Sequence, residues 1–222
     1  MRSCKRRRRS CRRHKERDML EDYRLVDLSP ELHPGKESRR LEIRPFIYEE
    51  DNTIMHDVDM MSHVGVHVEA PSHYKEELPD AASLPLETFV GEACVLDYDK
   101  AGPGARVTAE AMKKLAGDIL KPNDILLLRS KLSKEDSPKT TGEAARWLAE
   151  LPIKMFGIGV NCSLEADDDL AVHDAFLRKN IPLIERLVNM ENLPDRFFFA
   201  GFPLRIVGLD SSPIRAVALV RR

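Results

Sequence analysis

Cysteine is scarce in this chain, and its spacing excludes two classes of protein. The 222 residues include four cysteines, Cys4, Cys11, Cys94 and Cys162, and no CxxC pair. This number and spacing support neither a disulfide framework nor a thiolate zinc site. We therefore expect a cytoplasmic protein in a reducing compartment.

Long apolar runs and the common nucleophile and phosphate motifs are also missing. No run approaches the roughly 18–20 apolar residues that span a bilayer, and no apolar stretch follows the charged N-terminus as it would in a signal peptide. Neither GxSxG nor a glycine-rich phosphate loop occurs. The sequence gives no support to a membrane protein, a serine hydrolase or a P-loop enzyme.

Positive charge is concentrated at one end of the chain. Residues 1–17 hold ten of the 35 Lys and Arg residues but one of the 37 acidic residues, so the rest carries 25 basic and 36 acidic residues, a net charge of −11. We expect residues 1–20 to form a disordered basic tail, which either anchors nucleic acid or another polyanion or has no role. The acidic body is not expected to bind nucleic acid.

Strands and helices alternate along residues 21–222, which predicts a single mixed α/β domain. A helix is predicted over residues 109–116, with Thr108 as its N-cap and Gly117 at its end. Two further helices are predicted over residues 141–150 and 167–179. Apolar runs predict strands over residues 23–28, 41–48, 60–70, 93–98, 124–130, 155–160, 183–185, 206–209 and 216–220.

Three of the seven histidines lie within eleven residues, in the segment HVGVHVEAPSH. His63, His67, Glu69 and His73 all occupy odd positions, and valines fill positions 64, 66 and 68. A period of two is typical of an extended strand, with the imidazoles and the carboxylate on one face and the valines on the other. Such a face suits a first-row metal ion, although the same residues could be unrelated polar groups on an edge strand.

The spacing of the first two histidines predicts a bend. On a straight strand the Cα atoms of His63 and His67 would lie roughly 13 Å apart, because each residue rises by about 3.3 Å. Both imidazoles can reach one ion only if the strand bends between them, since a Zn–N bond is about 2 Å long. Gly65 stands at the midpoint, where a bulge costs least. We therefore expect the bend there, and Glu69 as a further ligand.

The segment resembles the HxGTHxDxPxH pattern of the cyclase-like metal-dependent hydrolase family, which includes bacterial kynurenine formamidases. A second block of that family has a histidine and a glutamate twelve residues apart, and His173 and Glu185 stand at that spacing here. The resemblance covers about residues 25–220. It implies the family's domain of the swivelling β/β/α type and a homodimer or homotetramer.

The resemblance also implies roles for these residues. One or two divalent ions, zinc or manganese, would be held by His63, His67 and Glu69 and by Glu69, His173 and Glu185, with Glu69 shared. His73 would transfer protons, or alternatively serve as a third histidine ligand. Without the first motif, His173 and Glu185 would be read as an ordinary half-buried histidine and a surface acid.

The chain departs from the family pattern at three positions. Glu69 replaces the family's aspartate and is one methylene longer, and Val66 replaces a threonine on the apolar face. His33 stands where formamidases place an aromatic residue before a Pro-Gly turn. We interpret His33 either as a polar substrate-binding residue or as a turn histidine, and its presence leaves kynurenine specificity open.

Three functional hypotheses follow. The first is a hydrolase that cleaves a small amide (formamide-like) or lactone bond with metal-activated water, with a small molecule as its partner. The second is a cyclase or dehydratase that uses the same metal as a Lewis acid on a biosynthetic intermediate. The third is a non-catalytic metal- or polyanion-binding protein that uses the basic tail.

Overall fold

The computed structural model describes residues 20–164 and 169–222. Fourteen strands are present in these ranges. They are β1 Tyr23–Asp27, β2 Leu41–Ile47, β3 Ile54–Met60, β4 His67–Glu69, β5 Val90–Asp97, β6 Arg106–Val107, β7 Ile125–Arg129, β8 Lys139–Thr140, β9 Met155–Gly159, β10 Ser163–Leu164, β11 Leu183–Leu187, β12 Arg196–Ala200, β13 Ser211–Pro213 and β14 Val217–Arg221.

Three α-helices accompany the strands: α1 Ala109–Ala116, α2 Gly142–Ala149 and α3 Asp169–Leu177. The predicted cap of α1 is confirmed, because the Thr108 hydroxyl accepts a hydrogen bond from the Ala111 N–H at 3.3 Å. Thr141 caps α2 in the same way. For α3, the predicted acidic first residue Asp167 lies outside the described residues.

Nine strands form one sheet in the order β1-β14-β12-β5-β7-β9-β11-β4-β13. Its centre, β5-β7-β9-β11, is parallel, and the strands on both sides of that centre are antiparallel. Two smaller sheets, β10-β8-β6 and β2-β3, complete the fold. The predicted mixed α/β class is therefore confirmed, with a curled sheet and few helices.

The parallel centre of the sheet buries both of its faces, as the apolar run at β7 predicts. Leu126 and Leu128 face a core shared with the three helices, which includes Met112, Leu148 and Phe176. Ile125 and Leu127 face a second core, which collects residues from β4, β12 and β14 where the sheet curls back on itself. Alternate residues of one strand thus serve two cores, which explains why the run contains no polar position.

The prediction of one continuous strand over residues 60–70 is wrong. Strand β3 ends at Met60, where it leaves its pairing with β2, and β4 begins only at His67. Between them the chain turns at Gly65, whose φ is +63°. The predicted bend is therefore confirmed, and it is sharp enough to separate two sheets. The valines still face the interior, since Val64, Val66 and Val68 are all buried.

The strand predicted over residues 206–209 is also wrong. These residues form a turn, in which Gly208 has a φ of +86° and donates its N–H to Asp80 Oδ2 at 2.6 Å. Val207, which made the run look apolar, is 86% exposed. The strand in this region is instead β13, three residues that pair with β4.

Two expectations concern the chain as a whole. Over the described ranges, none of the helices is both long and apolar enough to cross a bilayer. The predicted basic tail, residues 1–20, lies outside the described residues apart from Leu20. The division at residue 20 therefore stays a prediction.

The bend at Gly65 predicts a specific cost of substitution. A Cβ atom there would lie 2.8 Å from Leu32 Cδ2, and the alanine that carries it would have to adopt a positive φ. We expect Gly65→Ala to lower the free energy of unfolding in chemical denaturation by about 1 kcal/mol more than Gly35→Ala does, because the added methyl group overpacks Leu32. Gly35→Ala is the matched control, because Gly35 also has a positive φ but a Cβ there would meet no atom within 4 Å. An equal loss in both variants would contradict a packing role for the bend.

Candidate metal centre

The carboxylate of Glu69 is the centre of a cluster of imidazoles. Glu69 lies on β4, between β11 and β13, where it pairs with Leu183 on one side and Ser211 on the other. Its side chain is buried. Oε1 lies 3.0 Å from His63 Nδ1 and 3.6 Å from both His67 Nε2 and His73 Nε2. Oε2 lies 3.2 Å from His173 Nε2.

The bend at Gly65 brings the first two histidines together. The ring centroids of His63 and His67 lie 4.9 Å apart, far less than a straight strand would allow. The same bend aims the Gly65 carbonyl at His67, which donates its Nδ1–H to that oxygen at 2.8 Å. Nε2 of His67 is therefore the nitrogen with a lone pair, and it faces the cluster.

Sheet pairing and α3 supply the second block. Glu185 lies directly opposite His67 in the antiparallel pair β11–β4, and its Oε2 is 3.8 Å from His67 Nε2. His173 projects from α3, the helix that connects β10 to β11 in sequence. Residues more than one hundred positions apart in the chain thus meet around Glu69.

His73 lies in the short 3-10 turn Pro71–His73 that follows β4. Its side chain is 32% exposed, so it borders the cleft rather than its floor. The ring centroid lies 4.4 Å from that of His63 and 5.7 Å from that of His173. This position between the buried cluster and solvent suits a group that exchanges protons with a substrate.

The charge of Glu69 is favoured strongly by its surroundings. Burial alone would raise the pKa of its carboxyl group, but the imidazoles of His173, His67 and His73 outweigh that effect and lower the pKa to about 2. Glu69 is therefore ionised at neutral pH. A buried anion ringed by nitrogen atoms is the electrostatic arrangement that a divalent cation requires.

One buried atom indicates that the residues present fit a metal ion. Within the described part of the chain, His67 Nε2 has no hydrogen-bond partner, although burial without a partner is costly. Ligand atoms at about 2.0–2.1 Å from one tetrahedral ion lie roughly 3.3 Å from each other. The separations around Glu69 are close to that value, and imidazole with carboxylate suits zinc or manganese.

The possible ligands fall into two groups that share Glu69. One is His63, Glu69 and His73, and the other is His67, Glu69 and Glu185; in each group the ligand atoms lie within 4.8 Å of one another. The predicted sets were His63, His67 and Glu69, and Glu69, His173 and Glu185. The structure thus brings all six residues into one cluster and places His73 as near to His63 as a ligand would be.

The cleft that contains this cluster has a volume of about 650 Å³, within the usual range for small-molecule sites. It is lined by Arg39, Met61, His63, Glu69, His73, Tyr74, His173 and Glu185. His33 is not among these residues. It is exposed on the loop after β1, with its ring 3.8 Å from the Glu31 carboxylate, so the structure does not bring it to the cleft.

Sequence reasoning missed three residues of this site. Arg39 donates from Nη1 to the His63 carbonyl at 3.1 Å, and Tyr74 lines the cleft. Asp210 accepts hydrogen bonds from two of the histidines. No local pattern could have indicated Asp210, because it stands in a turn some 140 residues from its partners and contributes neither an apolar repeat nor a ligand spacing.

The two cysteines in the described part of the chain provide no alternative nucleophile. Cys94 and Cys162 are free and buried. Burial raises the pKa of both thiols to about 12, so neither would be ionised at neutral pH. This agrees with the expectation from sequence.

Comparison with known proteins identifies the family. The family model Cyclase, described as "Putative cyclase", matches residues 26–161. The chain belongs to the Cyclase family. It is 30% identical over 175 residues to a kynurenine formamidase of Salinibacter ruber, covering 76% of this chain and 81% of that protein. It is 28% identical to a kynurenine formamidase of Bordetella avium, covering 87% and 97%.

Two solved structures of proteins named as hydrolases share the fold. Isatin hydrolase A from Ralstonia solanacearum superposes with a TM-score of 0.75 at 22% identity, covering 90% of this chain and 93% of that one. A "predicted metal-dependent hydrolase" from Bacillus stearothermophilus gives a TM-score of 0.71 at 22% identity, covering 90% and 99%. At this level of identity the likeness establishes the fold.

The lowered pKa of Glu69 predicts a pH dependence of stability. A carboxyl group with a pKa of about 2 when folded and an ordinary value when unfolded contributes stability above pH 4.5 that is lost as the pH falls towards 2. We expect the metal-free protein to lose up to about 3 kcal/mol of unfolding free energy from this group. Glu69→Gln should lack that part of the slope between pH 4.5 and 2. Parallel slopes for the two proteins would contradict the ionised state of Glu69.

Proposed function

We propose that this protein is a metal-dependent hydrolase that cleaves a small amide, formamide-like or lactone bond. The observation that carries the proposal is the buried Glu69 carboxylate, which four imidazoles surround at 3.0–3.6 Å. Membership of the Cyclase family supports it. So do the names of the relatives, since a formamidase acts on a formamide and isatin is a cyclic amide.

We assign the ligands as the resemblance implies. His63, His67 and Glu69 would hold one divalent ion, and Glu69, His173 and Glu185 would hold a second, so that Glu69 belongs to both sets. Zinc and manganese both suit these donors. When bound, such an ion lowers the pKa of water and polarises a carbonyl group. The protein holds the ligand atoms close together. The pairing of β4 with β11 and β13 fixes the strands that carry His67, Glu69 and Glu185.

His73 would move the protons of the reaction. It lies at the edge of the cleft and directs Nε2 towards Glu69 Oε1 at 3.6 Å, close to the point where a water molecule and a substrate carbonyl would meet. From there it can take a proton from the attacking water and deliver it to the departing nitrogen or oxygen. Its Nδ1 is held by Asp210, so the ring keeps its orientation through both transfers.

The metal-ligand assignment is tested by elemental analysis of purified variants. We expect His67→Ala and Glu69→Ala to lose most of the metal that the wild type carries, because each removes a buried donor. His73→Gln should keep its metal but lower kcat by about 10²- to 10⁴-fold, the usual contribution of a general acid–base. His33→Ala is the control for metal content, since His33 is an exposed histidine that does not line the cleft. Full metal content in both the His67 and Glu69 variants would refute the site.

Substrate class is tested with the same preparations. We expect turnover of small amides, with N-formylkynurenine compared against simple lactones and acyl amides. The polar cleft accommodates a small molecule rather than a polymer, because its volume is about 650 Å³. Turnover of lactones alone would redirect the assignment to ester-type bonds while retaining the metal site.

We further propose a homo-oligomer, a homodimer or homotetramer. The hairpin β2–β3 has an apolar face, with the cross-strand pairs Ile43–Val58 and Ile47–Ile54, and a mostly polar face, with Glu42, Arg44, Asp57 and Asp59 beside the pair Phe46–Met55. The four side chains of the two aliphatic pairs are exposed in a single chain. A two-stranded hairpin is only marginally stable in water by itself, so a second copy covering this face would stabilise it.

Light scattering after gel filtration tests the proposed assembly. We expect Val58→Lys combined with Ile54→Lys to lower the molecular mass to that of one chain, because it places two charges in the apolar contact. Asp57→Lys adds a charge of the same sign on the polar face and should leave the mass unchanged. A wild-type protein that elutes as a monomer would disprove the assembly.

Two remaining assignments concern the setting of the enzyme. A cytoplasmic location is supported by Cys94 and Cys162, which are free and buried. Residues 21–222 would form the catalytic domain, and residues 1–20 an accessory tail. Removal of the tail should then leave metal content unchanged and abolish any binding to polyanions.

A further inference from the structure

Asp210 is fixed next to the metal cluster by contacts on three sides. Its carbonyl accepts the N–H of Ala70 at 2.8 Å, and its Oδ1 accepts the hydroxyl of Ser62 at 3.0 Å. The next residue, Ser211, begins β13 and pairs with Glu69. The backbone and side chain of Asp210 are therefore held at both ends of the histidine segment, before the bend and after β4.

The remaining oxygen of Asp210 contacts two of the histidines at once. Oδ2 lies 2.8 Å from His63 Nε2 and 2.9 Å from His73 Nδ1. An ionised carboxylate can only accept, so both of these nitrogens must carry a proton. A neutral imidazole carries one proton, which leaves the lone pairs on His63 Nδ1 and His73 Nε2.

These two lone pairs are directed at the same place. His63 Nδ1 lies 3.0 Å and His73 Nε2 3.6 Å from one atom, Glu69 Oε1. Three electron-rich atoms this close together repel one another unless a cation or a proton lies among them. The arrangement matches a common feature of metal sites, in which a carboxylate accepts the second N–H of a ligating histidine and so fixes its tautomer.

We propose that Asp210 is a positioning residue that selects the tautomers of His63 and His73. One carboxylate oxygen orients a metal ligand and the proton-transfer histidine together. The Gly65 carbonyl fixes the tautomer of His67 in the same way. The inference rests on the proposed metal-dependent hydrolase, for which it identifies how the reactive nitrogens are set.

A purely structural role for Asp210 would be to tie the turn before β13 to the histidine segment. Asp80 provides the control for this alternative, because it ties the same turn without an imidazole partner among its hydrogen bonds. Its carboxylate accepts the backbone N–H groups of Gly208 at 2.6 Å and of Ser83 at 2.9 Å. Asp80→Ala therefore loosens the turn and leaves the Asp210 carboxylate in place.

Nitrogen-15 NMR of the imidazoles, at a pH at which histidine is ordinarily neutral, tests the tautomers directly. In the metal-free wild type we expect His63 Nε2 and His73 Nδ1 to carry a proton, whether or not the nitrogen that faces Glu69 takes up a second one. Asp210→Ala should lose this pattern, and Asp80→Ala should keep it. Asp210→Asn should retain it in part, since the amide oxygen can still accept while the amide nitrogen faces Ser62. The opposite tautomer of either histidine in the wild type would overturn the proposal.

Competition for Zn²⁺ against a chelator provides a second readout. Loss of such a partner usually weakens metal binding by about 10- to 100-fold, which we expect for Asp210→Ala, with an intermediate loss for Asp210→Asn. Zinc affinity equal to the wild type in Asp210→Ala, or an equal loss in Asp80→Ala, would refute the positioning role. A wild type that binds neither zinc nor manganese would instead refute the proposed function, and the NMR tautomers would still decide the role of Asp210.

Discussion

A single buried negative charge organises this molecule. Glu69 is buried, and burial by itself disfavours an ionised carboxylate. The imidazoles around it outweigh this effect and lower its pKa to about 2. The four histidines come from a turn, a strand, a 3-10 turn and a helix, and each approaches the carboxylate from a different element. The four positions depend on one another, because without the carboxylate several imidazoles would be crowded together with no group that they contact in common.

The strand that carries this charge is short and firmly held. Strand β4 has three residues, but it is paired on both sides, with β11 and β13. Val68 points into the core between the curled halves of the sheet, whereas His67 and Glu69 lie at the cluster. The alternation of inward and outward side chains that the sequence predicts is therefore present over the three residues of β4. The hydrophobic core fixes the even positions, and through them the direction of the odd ones.

The limits of sequence reasoning can be seen in particular residues. Thr108 and Gly117 mark the ends of α1 because caps act within one turn of helix, and Gly65 marks the bend because two ligands could not otherwise meet. The break between β3 and β4 was not foreseen, since periodicity cannot distinguish one strand from two that share a phase. Asp210 was missed because its partners are brought to it by the pairing of β13 with β4, which is a long-range event. His33 was linked to the cleft by resemblance, and the loop after β1 carries it elsewhere.

The extra methylene of Glu69 relative to the family's aspartate has a structural consequence. Because β4 is fixed by ladders on both sides, the backbone at this position has little freedom to move. An aspartate there would withdraw the carboxylate by about 1.5 Å, the length of one carbon–carbon bond. The contacts of 3.0–3.6 Å to four imidazoles would then be lost unless the histidine segments moved inwards. A glutamate at this position therefore lets His63, His73 and His173 lie farther from β4 than an aspartate would. The bend at Gly65 and the hydrogen bonds of Asp210 hold the first two of them there.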